Sequence, residues 1–118
     1  MKTVAILSIL IFPLLSGCVF EERSRDDYER HNLSLLEVSR RDSSVLIFEA
    51  KAGPAYPEDS ATAETKRMAW LQSWLERQGY CPGGHETISR RRIESGDINF
   101  HDMDLRYEVR CVDAPPEE

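Results

Sequence analysis

The sequence predicts one small α+β domain, an antiparallel sheet of β-β-α-β-β order with one helix packed on one face. Residues 61–78 carry an apolar stripe with helical spacing, and residues 105–112 alternate apolar and polar side chains as a half-buried strand does. Residues 33–52 hold two short strand-forming runs with a turn between them. Since a sheet and a helix each need an apolar surface to pack against, two layers are the simplest arrangement.

The first hairpin is predicted from residues 33–38 (LSLLEV) and 45–52 (VLIFEAKA). The second run is rich in β-branched and aromatic residues, which suit a pleated surface. Between the runs lies the polar segment RRDSS, whose short side chains bond readily to nearby backbone and favour a turn. Residues 53–54 (GP) end the second strand.

The helix is the most clearly patterned element. Asp59 or Ser60 can cap its first turn, and Glu64 places a negative charge where the helix dipole favours one. Gly79 is predicted as the left-handed residue that ends the helix. One apolar stripe runs along it, formed by Met68, Leu71, Trp74 and Leu75.

The second hairpin is predicted from residues 86–93 and 105–112. On the last strand, one face carries Leu105, Tyr107, Val109 and Cys111. The other face carries Arg106, Glu108 and Arg110. We expect the segment between the two strands to form a loop, with its Phe100 turned inward.

The N-terminus has the layout of a secretory signal peptide, predicted over residues 1–17. Lys2 is basic, residues 4–15 are almost wholly apolar, and Ser16 and Gly17 are small. The apolar run is shorter than the roughly 20 residues that span a bilayer.

Leu15-Ser16-Gly17-Cys18 resembles the lipobox of bacterial lipoproteins. The resemblance implies cleavage before Cys18, acylation of its sulfur and usually of its new amino group, and anchoring in a membrane. Each buried CH₂ contributes about 0.8 kcal/mol to the free energy of membrane binding, so two or three acyl chains anchor a protein stably. Val19 stands where lipoproteins retained in the inner membrane often have Asp, which implies the outer membrane, facing the periplasm. The alternative is an ordinary signal peptide with a chance cysteine.

Once Cys18 is assigned to lipid, Cys81 and Cys111 remain. In an exported protein such a pair usually forms a disulfide. If strands 86–93 and 105–112 pair antiparallel, the two sulfurs come close together. The alternative is a pair of free thiols.

The predicted organisation has four parts. Residues 1–17 are the cleaved signal peptide, and residues 18–31 are the lipidated cysteine and a tether dense in charge, with a weak surface helix as the alternative. Residues 32–113 form the α+β domain, and residues 114–118 form a disordered tail.

A second resemblance lies between Arg67 and Arg90, with the pattern R..WL..WL...GYCPGG.E..SR and a later Y.V.C. It is similar to small envelope lipoproteins of proteobacteria whose function is unknown. The resemblance therefore implies a class and no activity.

The chain is acidic, with a formal charge of −6, which argues against nucleic acid as a partner. The interpretation we favour is a membrane-anchored, non-enzymatic module of the envelope that binds a protein or has a structural role. One alternative is an inhibitor of a basic envelope or host hydrolase such as lysozyme. Another is a small-ligand binder that uses an arginine-rich sheet face.

Two candidate binding surfaces follow from the pattern. Trp70 and Trp74 lie on one side of the helix and form a candidate partner patch, although covering the sheet is the commoner role. A candidate anion-binding face for a carboxylate or sugar phosphate consists of Arg90, Arg92, Arg106 and Arg110. The alternative for these arginines is ion pairing with Glu86, Glu94 and Glu108.

Catalytic and metal-binding patterns are weak. His85 with Cys81, and His101 with Asp102 and Asp104, are too few ligands for a zinc site. No HExxH, paired CxxC, GxSxG or SxxK pattern occurs. We therefore expect no catalytic residues, no metal and no cofactor.

Overall fold

The structure is a computed structural model that describes residues 27–113. Its elements are α1 (27–33), β1 (Ser34–Val38), β2 (Val45–Ala50), α2 (Ala61–Gln78), β3 (His85–Arg92) and β4 (Leu105–Cys111). The α+β class and the β-β-α-β-β order are confirmed, with α1 as an additional helix before them. The predicted signal peptide, Cys18, the first part of the tether and the tail lie outside the described residues.

The four strands form one antiparallel sheet in the spatial order β1-β2-β4-β3. Both sequence-predicted hairpins are present, and β4 joins them by pairing with β2. A bulge between Thr87 and Ser89 shifts the register of β3 against β4. β1 and β3 are the edge strands of this sheet.

Helix α2 packs on one face of the sheet and encloses the core. Ser60 caps its first turn by accepting a hydrogen bond from the Ala63 N–H, and Gly79 ends it in the left-handed region at φ 71°. Both ends are as the sequence predicts. The largest core side chains that the helix and sheet share are Trp70, Leu71, Leu75, Phe48, Tyr107 and Val109. Within residues 27–113, neither helix combines the length and hydropathy needed to cross a bilayer.

The disulfide between Cys81 and Cys111 is confirmed, with the two Cα atoms 4.8 Å apart. Cys111 lies opposite His85 in the β3–β4 register, so the bond joins the end of β4 to the turn before β3. Antiparallel pairing of the last two strands therefore brings the two cysteines together, as the sequence predicts.

Helix α1 differs from the predicted tether. The prediction extended the tether to residue 31, whereas residues 27–33 are helical. The guanidinium of Arg30 lies 4.8 Å from the centre of the Trp74 ring, and Glu29 accepts a hydrogen bond from the Tyr56 hydroxyl at 2.8 Å. Charged residues of this segment thus contact both α2 and the connection that precedes it, which composition alone does not reveal. Burial, followed by repulsion from Arg77, lowers the pKa of Arg30.

Arg67 is fully buried on α2 and fastens the connection between β2 and α2. Its Nε donates to Glu64 at 2.8 Å, its Nη1 to the Tyr56 carbonyl at 2.9 Å, and its Nη2 to the Pro57 carbonyl at 3.1 Å. Longer contacts of 3.4 Å reach the carbonyls of Lys51 and Glu58. One guanidinium group therefore donates to backbone carbonyls of four residues in the connection between β2 and α2.

Candidate functional site

The loop between β3 and β4, residues 93–104, is fastened to the sheet at its base. The Ile93 N–H donates to the Asp104 carbonyl at 2.9 Å, and the Asp104 N–H donates to the Ala50 carbonyl at 3.1 Å. The Asp104 carboxylate accepts from the Ala52 N–H at 2.8 Å. The Lys51 ammonium also donates to the Asp102 carbonyl.

Asp97 fixes the first half of this loop. Its carboxylate accepts two hydrogen bonds from Arg91, at 2.7 and 3.1 Å, and one from the Glu94 N–H at 2.7 Å. The hydrogen bond from Arg91, then that from the Glu94 backbone, lower the pKa of Asp97 to about 2. The carboxylate therefore stays ionised to a lower pH than an ordinary aspartate does.

Asn99 fixes the second half. Its amide oxygen accepts from the Met103 N–H at 2.9 Å, and its amide nitrogen donates to the Met103 carbonyl at 2.8 Å. Met103 is buried as a result. The loop is thus held at both halves by side chains that bond to its own backbone.

Two large apolar side chains extend from this fixed loop into solvent. Ile98 is 71% exposed and Phe100 is 87% exposed. The expectation that Phe100 turns inward is wrong, because Met103 and Leu105 occupy the buried positions instead. We call Ile98 and Phe100 the loop tip.

The loop tip adjoins the face of the sheet that α2 does not cover, here called the open face. Arg106 links the two, since its Nη2 donates to the Ile98 carbonyl at 2.6 Å and its Nε donates to Glu49 at 2.5 Å. In the observed register, the open face carries Leu35, Glu37, Val45, Ile47, Glu49, Arg106, Glu108 and Arg110. Its apolar side chains thus stand among charges of both signs, and Glu86 and Arg91 of β3 lie on the same face.

The predicted anion-binding face is not brought together. Arg90 and Arg92 lie opposite Tyr107 and Leu105, which places them on the α2 side, whereas Arg106 and Arg110 lie on the open face. The sequence shows the alternation within each strand but not the register between strands.

Arg90, Arg92 and Arg106 form their closest ion pairs with acids other than the predicted Glu86, Glu94 and Glu108. Arg90 lies 3.2 Å from Glu64, and Arg92 lies 2.5 Å from Glu58. Arg106 pairs with Glu49 at 2.5 Å. Arg110 lies opposite Glu86 in the register. Ion pairing is therefore the role that the observed contacts of Arg90, Arg92 and Arg106 support.

A buried tyrosine continues the network on the α2 side. The Tyr107 hydroxyl donates to Glu64 at 2.7 Å and accepts from Arg90 at 3.3 Å. Burial, the largest cause, raises the pKa of Tyr107. Since Glu64 also accepts from Arg67, this cluster ties α2 to β4 and β3, and its groups are engaged with one another.

The two tryptophans lie mainly inside the protein. Trp70 is 2% exposed and meets Tyr56 edge to face, with ring centres 5.2 Å apart. Trp74 is partly buried beneath Arg30 and donates from Nε1 to the Ser34 hydroxyl at 2.9 Å. The expectation that at least one tryptophan is buried is met, and little indole surface remains for a partner.

A groove of about 530 Å³ runs beside α2 and is lined by Asp27, Lys66, Ala69, Trp70, Ser73, Glu76 and Arg77. Arg77 and Asp27 on its walls pair at 2.9 Å, and Lys66 lies 3.8 Å from Glu29. A ligand in this groove would therefore meet charged side chains that are already ion-paired within the protein.

The candidate metal ligands are separated or engaged. Cys81 is in the disulfide, and the Asp104 carboxylate accepts from the Ala52 N–H. In the part of the chain that the structure describes, no three His, Cys, Asp or Glu side chains converge as a metal site would need.

Sequence reasoning missed the loop tip and Arg67. The alternation of Asp97 and Asn99 with Ile98 and Phe100 is a signal for the tip, because short polar residues that bond to backbone commonly order loops. Arg67 has no such signal, because most of its acceptors are backbone carbonyls of the irregular connection before α2, which no sequence pattern marks. No protein-family model matches this chain, and neither the curated proteins nor the solved structures give a match.

Proposed function

We propose that this chain is a lipid-anchored protein of the bacterial cell envelope that binds a protein partner through its loop tip. The observation that carries the binding is the exposure of Ile98 and Phe100 on a loop fixed by Asp97 and Asn99. A large apolar side chain held in place loses little conformational freedom when a partner buries it, so it makes an efficient anchor.

The lipobox-like residues before and at Cys18 support the anchoring. Val19 supports the outer membrane and a periplasmic domain. An anchored binding domain of this kind needs no catalytic group, and its disulfide suits the oxidising periplasm.

Cys18→Ala is expected to leave the precursor uncleaved, because lipoprotein processing follows acylation of the cysteine. The measurement is the intact mass of the protein and its distribution between membrane and soluble fractions. A cleaved product with unchanged membrane retention would contradict lipidation at Cys18.

Replacing the loop tip with Ile98→Ser and Phe100→Ser is expected to reduce partner capture by at least tenfold. Burying one large apolar side chain contributes about 1.5–3 kcal/mol, and each 1.4 kcal/mol changes Kd about tenfold. The measurement is quantitative affinity capture of the tagged, lipidated chain from native cells after mild cross-linking.

The matched control is Ile88→Ser, on the β3 edge, where the side chain is 40% exposed. The loop-tip variant should keep its free energy of unfolding within about 0.5 kcal/mol, because the replaced side chains are largely exposed. Ile88 is more than half covered, so the control is expected to lose about 1–2 kcal/mol. Equal partner recovery from the loop-tip variant and the control would refute binding through the tip.

A further inference from the structure

The charges on the loop itself are acidic, and three cations contact the loop, which are Lys51, Arg91 and Arg106. The Asp97 carboxylate already accepts hydrogen bonds from Arg91 and from the Glu94 N–H. Glu94 is exposed at the start of the loop, and the Asp102 side chain is fully exposed with its nearest cation, Lys51, 3.7 Å away. Two exposed carboxylates therefore lie on the same loop as Phe100, and one of them, Asp102, is paired with Lys51.

The open face also carries exposed carboxylates. Glu37 and Glu108 are exposed there, beside the partly buried Leu35 and Ile47. Arg106 on this face is already paired with Glu49. The open face itself carries both signs of charge, because Arg110 is exposed there as well, so the negative excess lies on the loop, which contains four acids and no Lys or Arg.

We propose that the partner is a protein with an apolar pocket for Phe100, framed by Lys or Arg side chains that meet Glu94 and Asp102. This proposal rests on the proposed function and names the chemistry of the partner. Opposite charges around an apolar anchor speed encounter and suppress wrong partners. A second copy of the chain would bring like charges together, and an anionic lipid surface would repel the same carboxylates.

The test places p-benzoylphenylalanine at residue 100 of the full lipidated chain and irradiates intact native cells. The matched site is Tyr28, an aromatic residue that is 69% exposed on α1. Mass spectrometry identifies each adduct and the residue to which it is attached. We expect one predominant protein adduct from position 100 that is absent from position 28, attached beside Lys or Arg residues.

The same cross-linking experiment also tests whether the adduct yield depends on charge, with two double variants that each neutralise two carboxylates. Glu94→Gln with Asp102→Asn removes the carboxylates beside the tip, and Asp59→Asn with Glu76→Gln removes two exposed carboxylates elsewhere. Asparagine is chosen at position 102 because the backbone there has φ 53°, a conformation that Asn tolerates. We expect the adduct yield to fall at least threefold with the first pair and to stay within twofold with the second.

The outcomes separate the two proposals. A protein adduct from position 100 that is equally strong with both pairs, attaches to an acidic or uncharged surface, or joins two copies of this chain overturns the basic partner but leaves partner binding intact. An adduct with lipid alone, no adduct, or the same adducts from positions 28 and 100 overturns both.

Discussion

Arg67→Met is expected to lower the free energy of unfolding by about 2–4 kcal/mol, because two backbone carbonyls lose their donor and each buried group left unsatisfied costs about 1–3 kcal/mol. Methionine keeps much of the side-chain volume but donates no hydrogen bond. The carbonyls of Tyr56 and Pro57 would then lose their donor inside the protein, while Glu64 would keep its contacts with Tyr107 and Arg90. The measurement is urea denaturation at pH 7 of the oxidised chain beginning at Val19.

The matched control is Arg77→Met on the same helix. Arg77 pairs with Asp27 at 2.9 Å, but both side chains are about half exposed, so the variant should lose no more than about 1 kcal/mol. If Arg67→Met and Arg77→Met have the same free energy of unfolding within about 1 kcal/mol, Arg67 does not fasten the β2–α2 connection as described.

Replacing both Cys81 and Cys111 with serine is expected to lower the free energy of unfolding by about 3–4 kcal/mol. The bond closes a chain segment with a separation of 30 residues, and cross-linking a loop of that size restricts the unfolded chain by about this amount. The measurement is the midpoint and slope of urea denaturation for the variant and for the wild-type chain.

Reduced wild-type protein provides the control, because it loses the bond without changing the side chains. It should unfold at nearly the same urea concentration as the double variant. If the oxidised wild-type chain and the double variant have equal midpoints, the disulfide contributes nothing to the stability of this domain.

The fold could be predicted because its signals are local. Ser60 and Gly79 mark the ends of α2, and the alternation from Leu105 to Cys111 identifies the core face of β4. The disulfide followed from the number of cysteines and from hairpin pairing. Each of these observations needs only neighbouring residues or a simple count.

The site could be predicted only in part, because its main features depend on register and on distant partners. The division of Arg90 from Arg106 between two faces follows from how β3 aligns with β4. Arg30 is buried because Trp74 lies beneath it, although its own segment is highly charged. The exposure of Phe100 follows from Asn99 and Met103, whose mutual bonds shape the loop.

We propose that a membrane-tethered domain binds its partner through Ile98 and Phe100. Partner recovery is compared for the wild-type chain, the Ile98→Ser/Phe100→Ser variant and the Ile88→Ser control at equal expression. We expect full recovery with the wild-type chain and the control, and at least a tenfold loss with the loop-tip variant. Equal recovery with all three proteins would show that the loop tip does not bind the partner.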